Sequence, residues 1–133
     1  MSVVGHGLDL VELRRVQRLW DRHEARFLSR VFTPTERDYC LSRKRPIEHL
    51  AGRFAAKEAV MKVLGLGWSG GVAWTDIEVR NTPSGRPEVN LSGRCAERAG
   101  EMNVTKVFIS ISHIATHAIA SAIGVSDDSR RAR

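Results

Sequence analysis

HLAGRFAAKEAVMKVLG, residues 49–65, sets apolar side chains at Leu50, Phe54 and Met61, with Ala51, Ala55 and Ala59 between them. That spacing predicts a helix with one buried face. At ~100° per residue, Glu58 falls between Phe54 and Ala51, inside the apolar stripe, and Lys62 follows one turn on. Burying a charge costs on the order of several kcal/mol unless it is paired or holds a metal. Glu58 is therefore either half of an i,i+4 ion pair with Lys62, worth ~0.2–0.5 kcal/mol, or the wall of a functional pocket. Taken alone, the ion pair is the commoner arrangement.

Outward from this helix, Pro46 suits its first turn and Gly65 and Gly67 stop it. A basic connector, Arg43-Lys44-Arg45, precedes it. Thr33-Pro34-Thr35-Glu36 is a capping box with proline at the first helical position, so a short helix carries Tyr39, Cys40 and Leu41. Val3 to Leu10 reads as a strand in which Gly5 and Gly7 allow close backbone approach. A helix follows with Leu13, Val16 and Trp20 on one face and Arg14, Arg15 and Arg18 on the exposed side. Downstream, Trp68 to Ala73 is a glycine-rich loop. Strands at Asp76–Arg80 and Pro87–Leu91 flank the turn Asn81–Gly85 as a hairpin. Ser92 to Asn103 is a helix, Lys106 to His113 a strand with Val107, Ile109 and Ile111 on one face, and Ala118 to Val125 a last strand. The even positions of that strand (Ala118, Ala120, Ala122, Gly124) are small, which suits close packing by a helix or a neighbouring subunit. Hairpins and helices without βαβ alternation make the fold class α+β.

The 133 residues fit one domain, residues 1–126, with a basic, flexible tail at 127–133. Nothing approaches the ~20 apolar residues of a membrane span, and the N-terminus lacks the pattern of a signal peptide. Cys40 and Cys95 fit no metal spacing and read as free thiols of a cytoplasmic protein. The net charge of +6 implies an anionic partner. A nucleic-acid binder would interleave aromatic and basic residues on a strand surface, and 6% aromatic content with no stacking platform in ISISH argues against it.

Asp9 ends the first strand. Two carboxylates from different elements, with room for water and phosphate oxygens, are the usual way to hold Mg²⁺, and Asp9 with Glu58 is a candidate pair; alternatively Asp9 complements a helix dipole. His113 shares a face with Ile109 and Ile111, where a hydrogen-bonded core histidine is commoner than a catalyst. The other histidines lack metal-ligand spacing. Gly65-Leu66-Gly67-Trp68-Ser69-Gly70-Gly71 follows a helix where phosphate loops precede one, so it reads as a flexible helix exit near a ligand. Arg53 and Lys57, one turn apart, read as a solvated polar face in isolation.

GHGLDLVELRRV (residues 5–16) and GRFAAKEAVMKVLG (52–65) resemble holo-acyl-carrier-protein synthase, the small bacterial phosphopantetheinyl transferase family. The likeness continues in order through VFTPTERDYC (31–40), DIEVRNTPSGRP (76–87) and ISISH (109–113). His6, where the family is usually aliphatic, His117, where an aromatic is common, and the basic tail depart from it. The resemblance implies the phosphopantetheinyl transferase fold, an antiparallel sheet packed against a long central helix, assembled as a trimer. It implies transfer of the phosphopantetheine arm of coenzyme A to a serine of apo acyl carrier protein, leaving adenosine bisphosphate, in support of fatty-acid or polyketide synthesis. Asp9 and Glu58 become the Mg²⁺ ligands. Lys62 and Lys57 meet phosphoryl charge, and the base is Glu58 through a water on the metal, or His113. Arg45 or Arg53 takes the ribose phosphate, the adenine lies near Asn81, Gly85 and Pro87, and Gly65 sits at the ligand-proximal helix exit. Arg14, Arg15 and Arg18 form a docking face for the acidic carrier. Active sites lie between subunits, with the Asp from one chain and the central helix from the next, and the small-residue strand face forms the interface. The remaining alternative of this class is a coenzyme A-binding trimer without catalysis.

Overall fold

The long helix predicted over residues 50–65 is the axis of the molecule, and it is buried on nearly every side, not on one face. In the computed structural model, which describes residues 1–127, the elements run β1 (Ser2–Glu12), α1 (Leu13–Val31), α2 (Pro34–Leu41), α3 (Pro46–Leu64), a 3-10 turn (Trp74–Asp76), β2 (Ile77–Asn81), β3 (Pro87–Leu91), α4 (Gly93–Glu101), β4 (Lys106–His113) and β5 (His117–Ser126). From Leu50 to Leu64 of α3, Glu58 and Lys62 alone reach solvent. The expectation of a single apolar stripe fails because Ala51, Gly52, Ala55, Ala56 and Ala59 are too small to hold neighbours away. The sheet closes on one side of α3, and α1, α2, α4 and β2 on the others. A helix apolar all round belongs at the centre of a domain. The tail expected beyond residue 126 falls almost wholly outside the described residues.

The main sheet is antiparallel in the order β1–β5–β4, and β2–β3 form a separate hairpin. Gly5, Gly7, Asp9 and Val11 of β1 turn toward α3, and so do Ala118, Ala120, Ala122 and Gly124 of β5. A Cβ on Gly7 would stand 2.1 Å from the Ala59 carbonyl oxygen, and one on Gly124 would stand 2.7 Å from Val63 Cγ1. The small stripe of β5 is therefore the seat of the chain's own helix, which corrects its assignment to a subunit interface. The opposite face of the sheet carries the exposed apolar residues Val3, Leu8, Leu10, Ile119 and Ile123.

Element boundaries follow local chemistry. Thr33 Oγ1 accepts from the Glu36 backbone and Glu36 Oε1 from the Thr33 backbone N–H at 2.9 Å, closing the predicted capping box. Gly65, at φ 66°, ends α3 in the left-handed conformation that a side chain would strain. Helix α1 kinks at Glu24, whose φ is 43°.

Glu36 does more than cap. Its carboxylate also accepts from Lys57 Nζ at 2.8 Å and from the Val79 N–H at 2.8 Å, all within the core. Lys57 Nζ donates further to the Trp74 and Ile77 carbonyls. Both side chains are 0% exposed. This pair ties α2, α3 and β2 together. It also corrects two expectations: Lys57 is not on a solvated face, and its ammonium has no freedom to meet a ligand phosphate. Burial holds the Lys57 pKa below its usual value, with the Glu36 charge opposing that shift. Removing one partner of a buried pair costs about 3–5 kcal/mol. Glu36→Gln, which leaves Lys57 buried without its counter-charge, is expected to lose that much in a urea unfolding curve; a loss under about 1 kcal/mol would mean that the pair is not a keystone.

Candidate active site

Two clusters of charged side chains form at opposite edges of the sheet. The first is acidic. β1 turns Asp9 toward α3, and the close approach at Gly7 and Ala59 sets it beside Lys62 and Glu58. Lys62 Nζ donates to the Leu8 carbonyl at 2.6 Å and reaches Asp9 Oδ1 at 3.5 Å. The expected Glu58–Lys62 ion pair is not what occupies Glu58. Its Oε1 accepts from the Trp68 indole N–H at 3.2 Å. Trp68 stacks on Trp74 at 3.7 Å between ring centroids, and Trp74 on Phe54 at 4.9 Å.

Both carboxyls are harder to ionise than usual. Burial raises Asp9, with Lys62 opposing. Burial also raises Glu58, the Trp68 hydrogen bond opposes, and the negative charge of Asp9 raises it further. Arg15 of α1 also acts on both. Two hard oxygen donors that repel each other in a half-buried site fit a divalent cation, with water and phosphate oxygens completing its shell. No group of three or more metal-ligating side chains exists among the described residues.

The second cluster is basic and lies over the N-terminal half of α3. His113 Nε2 is 3.6 Å from Glu48 Oε2, and Glu48 Oε1 pairs with Arg45 Nε at 3.1 Å. The His113 ring meets His49, and His49 meets Tyr39, edge to face. Arg53 and Arg43 each hold a guanidinium 4.4 Å from the Tyr39 ring centroid. Arg53 is 4% exposed, which overturns its reading as part of a solvated face. One of its terminal nitrogens donates to Asn81 Oδ1 at 3.3 Å, tying the β2–β3 turn to this cluster, and its Nε is buried without a partner. Burial and the charges of Arg53 and Arg43 depress the His49 pKa. Excess positive charge with an unsatisfied donor is the complement of a phosphate.

The structure thus joins Asp9, Glu58 and Lys62, and separately Arg45, Arg53, Asn81 and His113. It does not bring His113 to Glu58. Asp9 lies in register with Ala120 and Ile111, so His113 is two strands across and two residues along from it, roughly 10 Å laterally at ~4.8 Å per strand. The expected division, Asp9 from one chain and the helix carboxylate from another, is also corrected, because one chain supplies both. Gly85 and Pro87 stand at the hairpin turn, and Gly65 ends α3 beside the Trp68 loop. Arg14, Arg15 and Arg18 are exposed at the start of α1. Trp68, Glu48, His49 and Tyr39 belong to these clusters without having been singled out in the sequence; their partners are distant in the chain or held by loop geometry that periodicity does not reveal.

The residues 5–122 match the model of the 4'-phosphopantetheinyl transferase superfamily. The holo-[acyl-carrier-protein] synthase of Protochlamydia amoebophila is 46% identical over 120 residues, covering 90% of this chain and 96% of that one. The crystal structure of holo-[acyl-carrier-protein] synthase from Neisseria meningitidis superposes with a TM-score of 0.85 at 30% identity, over 94% of this chain and 100% of that one. The Helicobacter pylori synthase, solved in complex with coenzyme A, gives 0.79 at 31% identity, over 90% and 99%.

A carboxyl whose pKa is raised by folding binds its proton more tightly in the folded chain. Its ionisation opposes the fold at neutral pH, and that penalty fades as pH falls through the raised value. Glu58→Gln removes the charge, so its thermal midpoint at pH 7 is expected to exceed the parent's, the two converging in acid. A midpoint at pH 7 equal to or below the parent's would contradict the electrostatics described.

Proposed function

The chain belongs to the 4'-phosphopantetheinyl transferase superfamily and, within it, to the holo-[acyl-carrier-protein] synthases; on that premise we propose the reaction and the roles of its residues. The protein transfers the 4'-phosphopantetheine arm of coenzyme A to a serine hydroxyl of an apo acyl carrier protein. The serine oxygen–phosphorus bond forms, the diphosphate bridge breaks, and adenosine 3',5'-bisphosphate leaves. The observation that carries the reading is the meeting of Asp9 and Glu58 beside Lys62.

Asp9 and Glu58 would hold Mg²⁺, which when bound supplies positive charge to the diphosphate and orients it. Lys62, its ammonium at the open side of the acidic cluster, meets charge on the transferred phosphoryl group. The serine hydroxyl must lose its proton as it attacks, and Glu58 would direct its removal through an intervening water. Arg45, Arg53 and His113 bind the phosphates at the nucleotide end of coenzyme A, with the adenine near Asn81, Gly85 and Pro87. Arg14, Arg15 and Arg18 receive the acidic carrier at the rim of the acidic cluster, a contact that salt weakens. Free, buried Cys40 and Cys95 suit a cytoplasmic enzyme serving fatty-acid or polyketide carriers, and no helix among the described residues is long and apolar enough to cross a membrane.

Neither cluster is complete alone, and a homotrimer brings them together. Exposed Leu8, Leu10, Ile119 and Ile123 form one apolar face of the sheet, the kind of patch that marks an interface. Each active site then combines Asp9, Glu58 and Lys62 of one subunit with Arg45, Arg53 and His113 of its neighbour.

Incubated with coenzyme A and Mg²⁺, an apo carrier is expected to gain one phosphopantetheine by intact mass. Asp9→Asn or a chelator should abolish the gain with the fold unchanged; a panel of carriers left unmodified by the parent protein would refute the transferase. The shared sites make a second outcome specific. Asp9→Asn and His113→Ala, each impaired alone, should regain part of the parent rate when unfolded and refolded together, because some mixed trimers contain one intact site. No recovery in mixtures shown to exchange subunits would place each site within one chain.

A further inference from the structure

Trp68 belongs to the acidic cluster but carries no charge. It sits on the loop after α3, where a Cβ at Gly67, Gly70 or Gly71 would touch nothing within 4 Å. The loop therefore has few side-chain anchors near the site, and Trp68 is one of them. Two contacts hold its ring: the near-parallel stack on Trp74, with an interplanar angle of 11°, and the 3.2 Å hydrogen bond from its N–H to Glu58 Oε1. Trp74 in turn rests on Phe54 of α3, one turn before Glu58 on the same helix. The indole is thus referenced to the helix that carries the carboxylate. An indole N–H is a donor only, so it can neither ligate a cation nor accept the serine proton.

We propose that Trp68 is a positioning residue for cation binding: its N–H occupies Oε1 of Glu58 and turns Oε2 toward Asp9, so that the two carboxylates present a preset pair of oxygens to the divalent ion. Lys62 does the corresponding work on Asp9, reaching Oδ1 at 3.5 Å. Each ligand then carries one oxygen engaged by a protein donor. Groups that orient metal ligands in this way typically contribute 10–100-fold to metal affinity. A stack alone, with no hydrogen bond, would hold the loop without choosing a carboxylate oxygen. The inference rests on Asp9 and Glu58 as the cation ligands.

Mn²⁺ is the probe, its binding to the coenzyme A-loaded protein followed by electron paramagnetic resonance. Trp68→Phe keeps an aromatic ring on Trp74 and removes the donor. It is expected to raise the Mn²⁺ dissociation constant about tenfold and to raise the Mg²⁺ needed for half-maximal rate by a similar factor. The isostere benzothienylalanine at position 68 replaces only the N–H by sulfur. It must reproduce the loss, which keeps the test valid even where Trp68→Phe disturbs the loop. Unchanged Mn²⁺ affinity in the benzothienyl protein overturns the proposal. Glu58→Gln separates this from the underlying assignment: if it too binds Mn²⁺ like the parent, the ligand assignment fails, and if it alone loses the ion, only the role of Trp68 does.

Discussion

The arrangement depends on one steric fact, the contact of the β1 backbone with the α3 backbone at Gly7 and Ala59. With no Cβ on Gly7, strand and helix approach until a methyl group would lie 2.1 Å from a carbonyl oxygen. On β5 Gly124 comes close to the Val63 side chain. A side chain at Gly7 would push the sheet off the helix. Asp9 and Glu58 would then move apart, since Asp9 lies two residues from Gly7 and Glu58 adjoins Ala59. The spacing of the candidate metal ligands is thus a consequence of backbone packing.

The charged residues of α3 show how burial sorts function from structure. Lys57 and Glu58 are adjacent in sequence and opposite in fate. Lys57 points into the core, where Glu36 and two backbone carbonyls satisfy all that its ammonium can donate. Glu58 points to a surface where nothing offsets its charge fully and Asp9 adds to the repulsion. A satisfied buried ion stabilises the fold and does no chemistry. An incompletely satisfied pair is where a cation or a substrate phosphate lowers the energy.

The same reasoning applies across the sheet. Arg53 is buried with one donor unpartnered, in a cluster with Arg43, Arg45, His49 and His113 and with Glu48 as the acid of the group. Surplus positive charge at one edge of the sheet and surplus negative charge at the other are each unfavourable alone. They become complementary when a diphosphate and a divalent ion lie between them, which is the geometry that assembly of subunits supplies in the proposed trimer.

From residue order alone came the elements and their ends: the Thr33–Glu36 capping box, the Gly65 stop, the hairpin around Asn81–Pro87 and the strand Lys106–His113. These rest on contacts within a few residues, and local chemistry decides them. Asp9 and Glu58 stood out as candidates too, because a charge in an apolar pattern is visible as a violation of that pattern, although β1 runs on past Asp9 to Glu12 where the sequence placed the acid at the strand's end. Which face of β5 meets the helix, that Lys57 is a core residue, that Trp68 rather than Lys62 binds Glu58, and that His113 lies across the sheet from Asp9 were decided only in three dimensions. Each depends on which distant backbone arrives first and how closely it packs, and periodicity along a chain carries no information about that.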